Sequence, residues 1–504
     1  MRRSTASKVR FPAPIYAETV LAPNFLESQR YFLVPLMELH AAHALMLHRQ
    51  RILQKEEVLA ILEGLAGFDL EKIRQATYDG TVEDLFFYLE RELAQAIGEE
   101  TAGRLHLARS RNDIDVTLYR MRLRNEVLSL AEKIAELRQS LLDLAKRHLQ
   151  TVMPAHTHTQ PAQPTTLAHY LSAAIEFLTR DMRRLRTAFS AVNQNPLGAC
   201  AITTTGFPID RHRTAQLLGF EGLVENSYYA IGGIDYLLEA IGAVATSMVS
   251  LGKLTQDLLF WATQEVAFLT LNDGFVQGSS IMPQKRNPVA LEHARILLSK
   301  GFAQAQAVMT SVHNTPFGDI NDVEDDLQPL VRSTFEDAGR GVRLLSAAIG
   351  AIELDVDGLR QKAQGSFLTM TELADTLTRE ERLSFKMAHR LVAETARRLG
   401  RPDASPEEIV DTLLPLAEEL LGRALTSSRP RLIEALCPLH FVSVRDRIGG
   451  PAPTQVADFL ARTWTAAQED LRWLREKRAL LERYPNKIAR ERSRLTSSLR
   501  PPTR

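Results

Sequence analysis

Residues 116 to 149 read VTLYRMRLRNEVLSLAEKIAELRQSLLDLAKRHL, without one proline or glycine. Apolar residues recur along this run at helical spacing, so nothing interrupts a single long helix. Residues 41–65, 167–192 and 236–271 carry the same pattern. The last of these reads as the longest and would span roughly 50 Å at about 1.5 Å per residue. Alternating strand patterns are scarce, which predicts an all-α chain. The 236–271 segment is apolar on nearly every face, and such a helix needs partners all round it. A central long-helix bundle supplies them, and association of several copies is the simplest way to finish the burial. The competing reading is one large monomeric bundle.

The chain divides into three predicted helical domains: 1–113, 114–363 with the long helices, and 364–504, ending in the basic tail KIARERSRLTSSLRPPTR. That tail is polar and contains proline, so it is expected to fray. Lys plus Arg and Asp plus Glu both number 61 among 504 residues, a net charge of zero. Such a balance gives no general attraction for nucleic acid or an anionic membrane. The least charged long stretch, between Glu239 and Lys253, falls short of the ~18 apolar residues of a membrane span. The basic N-terminus MRRSTASKVRFPAPIY lacks the apolar centre of a signal peptide. Cys200 and Cys437 have neither CxxC nor Cys/His spacing. No disulfide framework is expected, and a cytoplasmic location fits.

Three polar clusters interrupt the helical background, each feeding a helix. They are SRNDIDVTLYR (110–120), HTHTQPAQPTTLAHY (156–170) and GSSIMPQKRNP (278–288). Asn112 or Asp113 can cap the first helix, and Pro164 with the following threonines suits the start of the second. Asn287 and Pro288 make an N-cap and N1 pair for the third. Helix N-termini carry free N–H donors and about half a positive charge. Three such ends, brought together with Arg111 and Lys285, would hold a small, multiply charged anion. Three unrelated caps are the plainer alternative. His156 and His158 could both bind metal from a strand, but no third ligand has clear spacing and there is no HExxH. One working histidine, acting as acid or base, fits better. The 272–287 loop exceeds an ordinary helix–helix connection. With Gly274 and Gly278 as pivots it reads either as a lid over a site or as an exposed crossover.

Together these stretches resemble the aspartase/fumarase superfamily, most closely its argininosuccinate lyase branch. GSSIMPQKRNP is similar to the signature GSSxMPxKxNP, HTHTQPAQP to THxQxAQP, and ARSRND to GRSRND. The likeness continues through NPLGACAITTTGFPIDRHRTAQLLGF (195–220), TELADTL, FKMAHRLV and RIGGPAPTQV, so it covers nearly the whole chain. The resemblance implies a homotetramer with a central helical bundle and active sites each built from three subunits. It implies β-elimination from a succinyl group with release of fumarate, needing neither metal nor organic cofactor. By the same resemblance Ser279 is the base that removes the Cβ proton. A serine must be activated for that work, by loop N–H groups and Lys285. Lys285 and Asn287 then hold the aci-carboxylate intermediate, and His158 serves proton transfer on the leaving-group side. Thr157, Ser110, Arg111 and Asn112 match carboxylate-binding positions. Ser28 matches a substrate-contacting serine, and Gln160 and Gln328 match further substrate-binding positions.

The amine side departs from the branch's pattern. Ile114 stands where these lyases have Gln, and Val323 and Val331 where YNxDLQxxK has Tyr and Lys. Tyr229 and Gly233–Ile234 stand where NSxDAVSDRDF has Asp and Asp–Arg. Aliphatic residues in place of polar partners weaken a site built for a guanidino amino acid. The expected substrate is an N-succinyl amine other than argininosuccinate. An aminopolycarboxylate such as ethylenediamine-N,N'-disuccinic acid (EDDS) is the nearest known type. Argininosuccinate cleavage is the alternative. A non-enzymatic structural protein is a second alternative, since some lens crystallins resemble argininosuccinate lyase.

Overall fold

A computed structural model describes residues 11–497. Five long helices build its centre: α1 (Arg111–Arg147), α2 (Leu167–Val192), α3 (Asp235–Trp261), α4 (Val289–Ser311) and α5 (Gln328–Gly350). α1 begins with a reciprocal capping box. The Ser110 side chain takes the N–H three residues on, and the Asp113 carboxylate accepts the Ser110 N–H at 2.9 Å. Ser110 is thus the cap, and Asn112 and Asp113 lie inside the helix. Lys146 and Arg147 close its last turn, where cations suit the helix dipole. The inward stripe of α1, with Val127, Ile134, Leu137 and Leu141, joins Leu178, Val244 and Leu345 in one buried core. Each such side chain contributes about 1.5–3 kcal/mol on leaving water.

The bundle runs up and down. At one end the Arg120 guanidinium donates to the Ala191 carbonyl at 2.9 Å and lies 3.7 Å over the Tyr236 ring. These contacts place the start of α1, the end of α2 and the start of α3 together. At the other end the Tyr170 hydroxyl donates to Asp257 at 2.6 Å, joining the start of α2 to the end of α3.

Several expectations need correction. α3 stops at Trp261, not near residue 271. Ala267 takes left-handed backbone (φ 51°), and Leu269–Leu271 continues as a strand paired with Ile352–Leu354. The phenylalanine, threonine and leucines there suit a pleated segment wedged on the bundle. Among the described residues the longest helix is instead α6, Pro453–Ser497, with 45 residues, followed by α1 with 37. α6 carries the first part of the basic tail as helix; residues 498–504 lie outside the described residues. α3 is, contrary to the sequence reading, long and apolar enough by length and composition to cross a membrane. Here it packs between α2 and α4, with 50% of its most apolar window buried. Nor is it enclosed on all sides. Thr246, Val249, Lys253, Gln256 and Phe260 form an open stripe at helical spacing.

Two further cores flank the bundle. Phe25, Leu36, Ile61, Leu89 and Leu218 build one with Ile114 and Leu118 from the first turns of α1. Leu373, Leu391, Leu413 and Leu432 build the other. α6 leaves that last core behind. Its Val456, Leu460 and Leu474 join the bundle, and its Tyr484 and Ile488 join the N-terminal core. Arg138 on α1 meets Asp470 on α6 at 2.8 Å, and the Tyr484 hydroxyl donates to Glu38 at 2.5 Å. One helix spanning two cores fixes the N-terminal helices against the bundle.

Candidate active site

At the α1 start, the polar residues are tied down. The second oxygen of Asp113 accepts the N–H groups of Gly198 and Cys200 at 2.7 and 2.9 Å. Burial still pushes this carboxyl up to about 6, against three N–H bonds that pull it down. The Asn112 amide donates to the Ala201 carbonyl at 3.1 Å, and the Ser110 hydroxyl donates to Asn112 Oδ1 at 3.0 Å. Asp113 and Asn112 therefore fasten residues 198–201 beside the cap. Arg111 is held by protein carboxylates: Nε and Nη2 donate to Asp115 at 3.2 and 3.0 Å, and Nη1 meets Asp84. Asp84 is itself the N-cap of helix Leu85–Ile97. The Tyr119 hydroxyl, one turn past Asp115, donates to Asp325 at 2.7 Å. Burial raises both carboxyls, Asp115 to about 7, and the neighbouring Asp325 adds to the rise at Asp115. Ser28 sits at the same end. Its neighbour Glu27 accepts from Arg332 on α5 at 3.1 Å and lies 3.7 Å from Arg122 on α1. Gln328 opens α5, buried, with its amide on the Glu324 carbonyl at 3.4 Å.

At the opposite end the second cluster does not feed a helix directly. β1 (Val152–Thr157) and β2 (Gln160–Thr166) form an antiparallel hairpin, with Thr157 opposite Gln160. The prolines at 154, 161 and 164 forbid helix there. His158 and Thr159 make the two-residue turn, both left-handed at φ 52° and 61°, as a tight hairpin turn requires. Thr166, not Pro164, caps α2 by accepting the His169 N–H at 3.1 Å. The two histidines separate. His156 packs between the Phe260 and Phe268 rings, and burial lowers its pKa. His158 stands exposed at the tip.

The third cluster is a second hairpin. β3 (Gln277–Gly278) pairs with β4 (Arg286–Asn287), and residues 279–285 form its loop. The Ser279 Oγ accepts two backbone N–H bonds, from Ile281 at 3.2 Å and Met282 at 3.0 Å. Donors aimed at that oxygen would stabilise it as an alkoxide. Arg286 pins the loop base to Asp273 at 2.5 Å and to the Leu271 carbonyl at 3.0 Å. The Lys285 side chain is exposed beside it. Asn287 is not the expected cap, because it lies in the ladder opposite Gln277 and Pro288 takes the cap position. The half-buried Asn287 side chain is therefore not spent on a cap. Neither Gly274 nor Gly278 is left-handed.

The structure thus gathers the sequence-derived residues in two groups. Ser28, Ser110, Arg111, Asn112 and Gln328 share one end of the bundle. Thr157, His158, Gln160, Ser279, Lys285 and Asn287 share the other. α1 alone, at 37 residues, sets the ends about 55 Å apart at ~1.5 Å per residue. A concavity of about 1140 Å³ is lined by His156 and Thr159 but by neither Ser279 nor Ser110.

The expected changes at the amine side are only partly where the sequence suggested. Ile114 is 0% exposed in the N-terminal core, and Val331 is buried in the bundle. Val323 packs partly buried against the bundle core. Tyr229 is exposed, with its hydroxyl on both oxygens of Asp235 at 2.6 and 2.7 Å. Gly233 is needed beneath it, since a Cβ there would lie 2.6 Å from the Tyr229 carbonyl. The sequence reading missed Asp84, Asp115, Tyr119 and Asp325. The i, i+4 spacing of Arg111 and Asp115 was a usable signal; Asp84 and Asp325 come from distant segments and gave none.

Comparison with known proteins identifies the family. The sequence profile of the lyase family matches residues 39–301. The chain is 42% identical to argininosuccinate lyase 2 of Agrobacterium fabrum over 462 residues, 91% of each chain. It is 38% identical to argininosuccinate lyase of Methanococcoides burtonii, covering 82% of this chain and 83% of that one. Among solved structures, an EDDS lyase variant with bound fumarate superposes with a TM-score of 0.85 at 29% identity, over 96% of both chains. A fumarate lyase from Mesorhizobium sp. shares the fold, with a TM-score of 0.72 at 18% identity over 87% of this chain and 97% of that one. The chain belongs to the lyase family, within the argininosuccinate lyase branch of the aspartase/fumarase superfamily.

Proposed function

We propose that the chain is a carbon–nitrogen lyase that eliminates an amine from an N-substituted aspartate and releases fumarate. The observation that carries this reading is the pair of backbone N–H bonds on Ser279 Oγ, at 3.2 and 3.0 Å. They lower the cost of a serine alkoxide, and the Lys285 charge three residues past Met282 adds to that. The alkoxide takes the proton from the succinyl Cβ. The electron pair spreads into the neighbouring carboxylate, held by Lys285 and Asn287. The C–N bond then breaks with His158 passing a proton to the departing nitrogen. Ser110, Asn112 and Thr157 hold the carboxylates. Arg111, taken up by Asp84 and Asp115, supports that end and is less free to bind substrate than the sequence suggested.

Because the two groups lie at opposite ends of one chain, a complete site takes one end from one copy and the other end from another. A homotetramer with sites shared between subunits satisfies this, and the open stripe on α3 is the face that association would cover. An EDDS-type amine is supported by the likeness to EDDS lyase, and argininosuccinate by the names of the relatives.

The test follows fumarate absorbance with argininosuccinate, with EDDS, and with fumarate plus amines. Mixing inactive Ser279→Ala with inactive Asn112→Ala chains should restore turnover, since some sites then draw both halves from intact copies. Absence of turnover with every substrate would leave the structural-protein reading standing. Turnover without complementation would reject the shared site.

A further inference from the structure

Next to the α1 start, two segments meet backbone to backbone. Gly232 abuts residues 317–318 so closely that a Cβ there would lie 2.8 Å from the Gly318 nitrogen. The contact mounts two aromatic rings side by side. Tyr228 and Phe317 have centroids 5.5 Å apart, tilted by 31°, and are 45% and 60% exposed. Directly after Phe317 the chain reads GDINDVEDD, with carboxylates at 319, 322, 324, 325 and 326. This run is not remote from the site. Asp325 receives the Tyr119 hydroxyl at 2.7 Å, and Asp115 bears on Glu324 and is itself raised by Asp325. The one cation among them, Arg111, is already taken up by Asp84 and Asp115. Among the described residues the salt bridges of Arg111 go to Asp84 and Asp115, and none reaches the carboxylates of this run.

We infer that Tyr228, Phe317, Asp319 and Glu324 form the amine subsite, and that they select a leaving amine carrying a second positive charge. The assignment rests on the lyase reading above and gives it a substrate class. Aromatic faces attract cations through their quadrupole. Carboxylates beside them add Coulomb attraction and repel an amine that bears carboxylates of its own. An aminopolycarboxylate is disfavoured on this ground, which reverses the expectation drawn from the sequence.

The subsite carries its own signature. Glu324 is pushed up to about 8, chiefly by burial and next by its bond to Asp319, which favours its protonated form. The charged groups facing this pair are Asp115 on α1 and the neighbouring Asp325; Asp84 and Arg111 act on it through these. An incoming cation would favour the charged carboxylate and displace the proton from Glu324.

The experiment runs the reaction toward amination on the full assembled protein. The amine nitrogen adds to one alkene carbon of fumarate and a proton to the other. Three amines of matched length differ only at the far end: 1,4-diaminobutane, butylamine and 4-aminobutyrate. Expected kcat/KM falls in that order, with at least about tenfold between the first and the last. Phe317→Leu and Asp319→Asn should each cut that ratio to about threefold or less, acting through KM, while Phe317→Tyr should keep it. An equal or inverted order, or ratios unmoved by both variants, would overturn the subsite. Titrating 1,4-diaminobutane near neutral pH in two buffers of different ionisation heat should show proton release, and none would also overturn it. Binding with proton release but no fumarate consumed from any amine would instead sink the lyase reading and spare the subsite.

Discussion

The two ends of the bundle are made differently. At the α1 start, Ser110, Asn112 and Asp113 lie in a buried net that fixes residues 198–201 to the helix cap. At the other end, His158 and Ser279 stand on hairpin tips, with Lys285 and the apolar Ile281 exposed beside them. A binding surface gains from rigidity, because donors held in place need no reordering when a carboxylate arrives. Reactive groups on short tips can reach into another copy of the chain, and Ile281, 85% exposed, has no cover within its own.

The comparison is broken most directly at the tips. Ser279→Ala should lower turnover by roughly 10³-fold or more while leaving assembly and melting temperature unchanged. A variant that kept near-normal turnover would move the base elsewhere. His158→Asn should lower turnover by about 10²-fold, again without a stability change, since its ring is exposed. Steady-state rates beside a thermal melt check both.

At the rigid end the sign reverses: stability changes first. Asp113→Ala strands the N–H groups of Ser110, Gly198 and Cys200 and should cost about 2–4 kcal/mol, read as a lower Tm or denaturant midpoint. Asp113 also predicts a pH dependence. Its folded pKa of about 6 lies above its ordinary 3.8, so the folded state holds a proton that the unfolded state releases. The resulting stabilisation is complete below the ordinary value and is lost as pH rises through about 6. Asp115 is raised too and acts in the same direction. Asp115→Asn should therefore flatten the decline in stability between acid and neutral pH; an unchanged slope would contradict the buried network. The smallest effect belongs to His156, packed between two phenylalanine rings. His156→Leu should change stability by about 1 kcal/mol or less and turnover by less than about twofold. A large loss of turnover would make it, and not only His158, part of the chemistry.

Much of the candidate site was legible because its residues come in contiguous runs. SRND, HTHTQ and GSSIMPQKRNP each stay together at one end or the other, with Asp113 alone turned fully inward. What failed was local detail that depends on what lies opposite. Asn287 looked like a cap, but Gln277 draws it into a ladder. The threonines after Pro164 looked like a helix start, and Thr166 is indeed the cap of α2, but Pro164 and Thr165 pair into the hairpin before it. Ile114 looked like a pocket residue, but its face of α1 turns into the N-terminal core. The apolar run through residue 271 looked like one helix, but Ile352–Leu354 captures its last residues as a strand.

By itself the sequence determined the helical class, since periodicity and the absence of breakers act within a few turns. It also determined the reactive residue types, since each motif is a continuous stretch. Only the tertiary structure decided that the motifs lie at opposite ends of one bundle. It also set Arg111 between two carboxylates and brought Tyr228 against Phe317 beside an acidic run. Those outcomes depend on helix direction and on segments some ninety to more than two hundred residues apart, such as Tyr228 with Phe317 and Tyr119 with Asp325. No local pattern encodes such pairings, because the free energy that fixes them comes from burying whole faces at once.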